Sequence, residues 1–193
     1  MTYRHVALMG RAGSGKDTVG ARLVQQFAFA RVAFADPLRD MALSLDPVVA
    51  YEPTGYGPLP IRLSDVVRRD GWHQAKHRPE VRRTLQRLGQ SVRNQDDEYW
   101  LHAALAKVDV ADRWGLPVVV TDTRYVNEAE ALQARGALLV RVERPGKHGP
   151  AGKDERQHTS ETELDDFPAD AVLTNAGTVA ELHALADRLA VPR

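Results

Sequence analysis

The chain alternates short apolar runs with longer stretches in which apolar residues recur every three or four positions. The short runs are typical of buried strands, and the longer stretches are typical of amphipathic helices. Strands and helices that alternate in this way predict an α/β fold built on a parallel sheet. The predicted strands are residues 6–9, 32–35, 118–121, 138–142 and 171–173.

Three predicted helices have recognisable first turns. Proline suits the first position of a helix because its missing N–H would have no partner there. An Asn or Thr followed three residues later by Glu has the spacing of a capping box, in which each side chain binds a backbone N–H of the other residue. These signals lie at Asp36 with Pro37, at Asn127 with Glu130, and at Thr178 with Glu181.

Two stretches interrupt the alternation. Residues 46–62 contain four prolines and two glycines, which predict an irregular loop. Residues 144–159 contain glycines and prolines among basic residues, a composition that suits a mobile lid. Between them, residues 79–94 predict a helix, whose apolar stripe would fix one face on the core. The stripe consists of Val81, Leu85, Leu88 and Val92.

The size and charge of the chain limit its architecture and its partners. At 193 residues the chain is too short for two independent domains, so we expect one domain with insertions. Lys plus Arg and Asp plus Glu are balanced at 26 each, which disfavours a nucleic-acid polymer as a partner. The absence of cysteine excludes disulfides, thiolate zinc sites and cysteine nucleophiles. The apolar run 6–9 is far too short to span a membrane, so we expect no membrane partner and a cytoplasmic setting.

A glycine-rich segment lies between the first predicted strand and the first predicted helix. Its sequence, GRAGSGKDT at residues 10–18, follows the spacing of a Walker A motif. Glycines let backbone N–H groups point inward, the helix N-terminus adds positive potential, and the Lys16 ammonium can reach the outer phosphates of a triphosphate. The segment therefore predicts a nucleoside triphosphate site with Lys16 as its catalytic cation, and a glycine-rich turn without a ligand is the alternative. The candidate nucleotide-binding residues are Arg11, Ala12, Gly13, Ser14, Gly15, Lys16, Asp17 and Thr18.

Two aspartates are candidates for a magnesium site. Asp17 stands where the motif usually has a Ser or Thr hydroxyl on the metal. It can bind Mg²⁺ directly or through water, or it can be an acidic first-turn residue that the helix dipole favours, and Thr18 is an alternative metal contact. Asp122 follows a predicted buried strand as a Walker B aspartate does, and it suits a water-mediated magnesium role.

Two arginines are placed to bring positive charge to a transferring phosphate. Arg124 follows the third predicted strand and Arg144 ends the fourth, and both are candidate catalytic residues. In the lid, Lys147, His148 and Lys153 would add charge on closure, so that closing and transition-state stabilisation coincide. For the lid lysines, a solvated loop with incidental charges is the alternative.

Five short motifs appear in order along the chain. They are GSGKDT at 13–18, FADPLR at 34–39, LQRLG at 85–89, TDTRYVNE at 121–128 and HTSE at 158–161. Together they resemble the deoxynucleoside monophosphate kinases of bacteriophages, from residue 5 to about residue 185. The resemblance implies a three-layer P-loop NTPase fold with a mostly parallel five-stranded sheet, helices on both faces, a helical acceptor-binding insertion near 40–100 and a lid near 144–160. It also suggests a homodimer and, for a phage-encoded chain, the host cytoplasm.

Candidate acceptor residues begin just after the second predicted strand, at the sheet edge where doubly wound folds bind ligands. Asp36 can orient the attacking phosphate or a metal-bound water, which gives it a candidate catalytic role, and Arg39 can pair with the acceptor phosphate. Asp36 also suits a helix N-cap ahead of Pro37, so both interpretations stay open. Arg124 is a further candidate contact for the acceptor.

The helix 79–94 supplies a second set of acceptor candidates. Gln86, Gln90 and Arg93 match the family pattern for contacts with a base edge and a phosphate, and a solvated polar face is the alternative. Trp100, just downstream, can stack on a base or pack in the core. Asn175 follows the last predicted strand, where the relatives hold the adenine of ATP, although an asparagine is equally expected in a tight turn before a helix.

Together with these residues, the resemblance implies in-line transfer of the γ-phosphate of Mg-ATP to a deoxynucleoside 5′-monophosphate, without a covalent intermediate. ATP and Mg²⁺ are the expected cofactors, and small-molecule nucleotides are the expected partners. Two alternatives stay open, namely a kinase of another small acceptor such as dephospho-coenzyme A and an ATP-binding module without transfer. A switch GTPase is disfavoured because the guanine-reading sequence Asn-Lys-x-Asp does not occur.

Overall fold

The computed structural model describes residues 3–146 and 163–193. Its contacts divide the chain into two compact units. The sheet unit comprises Met1–Phe34 and Ala103–Arg193, and the insertion unit comprises Ala35–His102. Among the described residues, no helix is both long enough and apolar enough to cross a membrane. The expected single-domain organisation stays a prediction.

The sheet unit is built on five strands that pair only in parallel. Their order across the sheet is β2-β5-β1-β6-β7. β1 and β5 are buried along their whole length, as expected for a parallel sheet covered on both faces. The strands are β1 (Val6–Met9), β2 (Ala30–Val32), β5 (Val118–Val120), β6 (Leu138–Glu143) and β7 (Ala171–Thr174).

The strand predicted at 32–35 is displaced, because β2 occupies Ala30–Val32 and a helix already begins at Ala35. The Ala30 N–H donates to the Pro117 carbonyl, so pairing with β5 begins earlier than the apolar run suggests. Ala33 and Phe34 leave the sheet but stay buried. Because these two residues are apolar and buried although they are not paired, the hydrophobic pattern placed β2 too late in the sequence.

Helices of the sheet unit cover both faces of the sheet. The crossover from β1 to β2 runs in the opposite direction to the crossover from β5 to β6, so right-handed connections place their helices on opposite faces. Arg22 joins the first helix to the last through a two-point ion pair with Asp187, with distances of 2.7 and 2.8 Å. The helices are α1 (Lys16–Phe27), α5 (Tyr99–Arg113), which begins in the insertion unit, α6 (Val126–Ala134) and α7 (Val179–Asp187).

The helix starts agree with the predicted capping signals in one case and differ in two. The helix predicted to start at Pro37 begins at Ala35, so Asp36 lies inside its first turn, where it pairs with Arg39, and is not its N-cap. Thr178 and Glu181 form the predicted capping box at the start of α7. At α6 the prediction was wrong, because the helix begins at Val126 and Asn127 lies inside its first turn. Glu128 accepts hydrogen bonds from the backbone N–H groups of Arg124 and Tyr125 and so satisfies the helix start instead.

The insertion unit contains a β-hairpin where an irregular loop was predicted. Its elements are α2 (Ala35–Leu45), β3 (Val48–Thr54), β4 (Gly57–Arg62), α3 (Leu63–Ala75) and α4 (Pro79–Arg93). Pro53 pairs with Pro58, and since neither residue has an N–H, this pair suits only the non-hydrogen-bonded position of an antiparallel ladder. The pairs that alternate with it along the ladder, such as Glu52 with Leu59, occupy the hydrogen-bonded positions. Prolines at these positions are therefore compatible with a hairpin.

The predicted helix at 79–94 is confirmed as α4, which ends one residue earlier, at Arg93. Val81 is fully buried, and Leu85 and Leu88 pack beside it as the apolar stripe predicts. Their partners form the core of the insertion unit, which consists of Ala42, Val49, Leu63, Val66 and Ala75.

A buried histidine ties the start of β1 to the segment that leads into β5. His5 is 2% exposed, and its Nε2 lies 2.9 Å from a carboxylate oxygen of Asp112. Its Nδ1 accepts the Val118 backbone N–H at 2.9 Å, so the ring is neutral with its proton on Nε2. Burial lowers the pKa of His5 below its ordinary value of 6.5; Arg193 and Arg135 act in the same direction and Asp112 opposes them.

Because the folded-state pKa of His5 is lowered, the unfolded chain takes up its proton first as the pH falls. The stability that neutral His5 contributes is therefore complete above about pH 6.5 and is lost below it. We expect the free energy of unfolding in urea to fall more between pH 7.5 and 5.5 for the wild type than for His5→Asn, whose amide oxygen accepts the same N–H without titrating. Equal losses in the two proteins would contradict this assignment.

Candidate active site

Functional candidates from distant parts of the sequence meet at one edge of the sheet. Because all strand pairs of the five-stranded sheet are parallel, the carboxyl ends of its strands lie along the same edge, which is where open α/β sheets bind ligands. The residues that follow the strands there are Gly10 after β1, Phe34 after β2, Thr121 to Arg124 after β5, Arg144 after β6 and Asn175 after β7.

Residues 10–16, the glycine-rich turn, follow a path that excludes side chains at two points. Gly10 has φ +124°, and a Cβ there would lie 2.3 Å from the Val142 carbonyl oxygen in β6. Gly15 has φ +113°, and a Cβ there would lie 2.7 Å from the side-chain nitrogen of Asn175. Both positions therefore require glycine for conformation and for space. The sequence motif and the backbone geometry agree.

The Lys16 side chain folds back onto the glycine-rich turn and binds its carbonyl oxygens. Lys16 is the first residue of α1 and is only 9% exposed. Its ammonium donates to the carbonyl oxygens of Gly10 and Arg11, at 2.5 and 2.9 Å. The cation is thus held over the turn at the N-terminus of a helix, where both the dipole and the ammonium favour an anion.

Ser14 presents an unsatisfied hydroxyl in the same turn. The residue is 4% exposed, and its Oγ has no hydrogen-bond partner among the described residues. Thr123, after β5, has a buried hydroxyl with the same property within that part of the chain. A buried hydroxyl without a partner is costly, so each is a candidate donor to a bound group. Sequence reasoning missed Thr123, because no motif distinguishes it from its neighbours.

Asn175 contacts the turn directly. Its side-chain amide donates to the Ser14 carbonyl oxygen at 2.8 Å, and its backbone N–H donates to the Glu143 carbonyl oxygen at 2.7 Å. The residue is 9% exposed. The structure therefore places the Asn175 side chain against Ser14 and Gly15, where it binds the backbone of the turn.

The segment after β5 is held by two carboxylates. Asp122 accepts the Phe34 backbone N–H at 2.8 Å, which joins the ends of β5 and β2. The backbone N–H of Arg124 donates to the buried Glu128 at 2.9 Å. These bonds fix the backbone from which the Asp122 carboxylate and the Arg124 guanidinium extend.

The remaining candidates of the sheet unit are more exposed. Arg11 donates to Asp165 at 2.6 Å, a partner that no sequence signal indicated. Asp17 is exposed and Thr18 is half-buried in the first turn of α1, whereas Ala12 and Gly13 lie exposed in the turn. Arg144 is exposed just after β6. The lid candidates Lys147, His148 and Lys153 lie outside the described residues.

In the insertion unit, Asp36 and Arg39 form an ion pair at 3.0 Å in the first turn of α2. Both side chains are half-buried. The Arg39 guanidinium carbon also lies 5.8 Å from the ring centre of Trp72, within the range of a cation–π contact. A carboxylate and an aromatic ring thus hold the arginine in place. Trp72 was not among the predicted site residues, because only the fold brings α3 against the start of α2.

The other acceptor candidates lie on α4 and α5. Gln86 and Arg93 are half-buried, and the exposed Gln90 donates to Asn94 at 2.8 Å. Trp100 is buried, and its indole N–H donates to the Gly89 carbonyl oxygen at 3.1 Å. The contacts of Trp100 are those of a packed core residue, the second of the two roles that its sequence position suggests.

Comparisons with known proteins match this chain to deoxynucleotide monophosphate kinases. Residues 65–185, more than half of the chain, match the deoxynucleotide monophosphate kinase family. The deoxynucleotide monophosphate kinase of Enterobacteria phage T4 is 33% identical over 128 residues, which are 63% of this chain and 47% of that protein. Its counterpart in Escherichia phage RB69 is 30% identical over 138 residues, which are 70% and 54% of the two chains.

The length of the matching region differs among the relatives. A mimivirus protein from Acanthamoeba polyphaga mimivirus, provisionally named a deoxynucleotide monophosphate kinase, is 28% identical over 188 residues, covering 92% of this chain and 91% of its own. By contrast, this chain spans about half the length of the two phage relatives.

The fold is shared with a solved kinase. Dephospho-CoA kinase from Campylobacter jejuni superposes with a TM-score of 0.52 over 96% of this chain and 95% of its own, at 10% identity. This similarity confirms the predicted P-loop kinase fold. The chain therefore belongs to the deoxynucleotide monophosphate kinase family and is a nucleotide kinase built on that fold.

Proposed function

We propose that this chain transfers the γ-phosphate of Mg-ATP to a deoxynucleoside 5′-monophosphate. The observation that carries the proposal is the glycine-rich turn, in which the Lys16 ammonium is held by the carbonyl oxygens of Gly10 and Arg11 at the start of α1. Membership of the family favours this acceptor class. The remaining residues of the edge then take roles in positioning the reactants.

In this proposal the glycine-rich turn binds the triphosphate. Its N–H groups and the helix N-terminus attract the phosphates, and Lys16 exchanges the carbonyl oxygens of Gly10 and Arg11 for phosphate oxygens. The unpaired hydroxyl of Ser14 gains an acceptor in the same step. The backbone of the turn and the start of α1 keep their positions, so binding requires mainly that Lys16 changes its hydrogen-bond partners.

In this proposal Asp122 holds magnesium, and the support is that its carboxylate follows β5 at the edge that also carries the turn. The described residues contain no group of three or more His, Asp or Glu side chains that could hold a metal ion. A magnesium ion that takes one or two carboxylates and completes its shell with phosphates and water fits this donor set. Asp17 or Thr18 would complete the protein contribution. Bound magnesium supplies neutralisation of phosphate charge.

The acceptor phosphate is proposed to bind at Arg39. Asp36 and Trp72 hold its guanidinium in a defined orientation, which suits two-point pairing with phosphate oxygens. In this proposal Gln86, Gln90 and Arg93 contact the base or the phosphate from α4. Arg124 and Arg144 neutralise charge that develops during in-line transfer, and no residue forms a covalent bond with the phosphoryl group.

A coupled assay for ADP with all four deoxynucleoside monophosphates and their ribose counterparts tests the function. We expect ADP formation that depends on a deoxynucleotide acceptor. Lys16→Ala should reduce kcat/KM by at least about a hundredfold, because it removes the central cation. Lys107→Ala, which removes an exposed lysine on α5, is the matched control and should keep wild-type activity.

Three results would count against this function. The first is turnover with dephospho-coenzyme A but with no nucleotide, which would favour the other kinase. The second is ATP binding without acceptor-dependent ADP, which would favour a binding module. The third is full activity in Lys16→Ala.

Arg39→Ala should weaken acceptor binding selectively. Loss of a charge-assisted contact to phosphate predicts a rise in the acceptor KM of about 10-fold to 100-fold, with the KM for ATP unchanged. Arg39→Lys should recover only part of the effect, since an ammonium lacks the planar fork. The control is Arg68→Ala in α3, whose side chain is 76% exposed. An equal rise in both KM values would argue against an acceptor role for Arg39.

A further inference from the structure

We infer that Asn175 is a positioning residue that fixes the orientation of the Ser14–Gly15 peptide for triphosphate binding. The inference rests on the proposed function in one respect, because it takes the glycine-rich turn as the triphosphate site. It differs from adenine recognition, the role that the sequence position of Asn175 suggests. In this assignment Asn175 acts through the backbone of the turn.

Asn175 is fixed at two points. Its backbone N–H donates to the Glu143 carbonyl oxygen at the end of β6, and its side-chain amide donates to the Ser14 carbonyl oxygen. The side chain is therefore a short bridge between the sheet and the turn. Because the residue is 9% exposed, water competes little for these hydrogen bonds.

The bridge determines which way the next N–H points. A trans peptide is planar, and its C=O and N–H point in opposite directions. While the Ser14 carbonyl points at Asn175, the Gly15 N–H must point away from it. If this peptide flipped, the turn would present a carbonyl oxygen where an anion needs a donor. The amide of Asn175 thus selects the binding orientation.

Gly15 and Asn175 depend on each other sterically. A Cβ at Gly15 would lie 2.7 Å from the Asn175 nitrogen and 3.1 Å from a methyl group of Leu182 in α7. Glycine at this position is what allows the amide to reach the Ser14 carbonyl. The start of α7 and the turn after β7 therefore support the phosphate-binding turn from one side.

The chemistry at Asn175 predicts the effect of a near-isosteric change. Asn175→Asp places an acceptor opposite the Ser14 carbonyl and adds negative charge beside an anion site. Asn175→Ala removes the donor without adding charge. We expect affinity to fall by about tenfold for Ala and by more for Asp, the size associated with one buried hydrogen bond.

Calorimetric titration with Mg-ATP and with inorganic tripolyphosphate plus magnesium separates the two roles. A residue that orients the turn should weaken both ligands by the same factor, whereas a residue that contacts adenine should weaken ATP alone. The control variant is Asp187→Asn, which breaks the Arg22 ion pair between α1 and α7 away from the turn and should leave both affinities unchanged. Thermal unfolding of each variant establishes that it is folded.

Each outcome decides between the hypotheses. Parallel loss of both ligands in Asn175→Asp or Asn175→Ala, with normal binding in Asp187→Asn, supports the inference, and Asn175→Ala decides alone if the Asp variant does not fold. Loss of ATP binding with unchanged tripolyphosphate binding overturns it, as does unchanged affinity for both. A wild-type chain that binds neither ligand would refute the proposed function itself, which is a different result.

Discussion

The backbone path of residues 10–16 requires glycine at positions 10 and 15, because a Cβ at either position would collide with a neighbouring residue. Gly10 passes against the Val142 carbonyl oxygen in β6, and Gly15 passes against the Asn175 amide after β7. Both glycines have positive φ angles. This close contact brings the turn, the start of α1 and Lys16 to the edge where the other strands end.

The two units contribute different chemistry to the proposed reaction. The sheet unit carries Lys16 and Asp122 on backbone that is fixed by neighbouring strands. The insertion unit carries Arg39, held by the Asp36 carboxylate and by the Trp72 ring. In both places a cation or carboxylate is oriented by a second residue. A side chain that is already oriented loses less conformational entropy when a ligand binds. In the proposed reaction this orientation favours both nucleotide affinity and the rate of phosphoryl transfer.

The sequence predicts the fold class and the glycine-rich turn well. Apolar runs indicate buried strands, and the spacing of the glycines indicates the backbone path of the turn. It placed β2 too late because Ala33 and Phe34 are buried without being paired. It missed the hairpin of β3 and β4 because composition does not show which ladder positions the prolines occupy. The roles of Asn175 and Trp72 depend on contacts across 161 residues in one case and between separate helices in the other. Local patterns carry no record of such contacts.

A crystal structure with a non-hydrolysable ATP analogue and magnesium tests the central claim most directly. We expect phosphate oxygens within hydrogen-bonding distance of the backbone N–H groups of residues 13–16, with the Lys16 ammonium moved from the Gly10 and Arg11 carbonyls to the outer phosphates. The Asn175 amide should still bind the Ser14 carbonyl. A nucleotide bound elsewhere, with Lys16 still donating to the turn, would contradict the account.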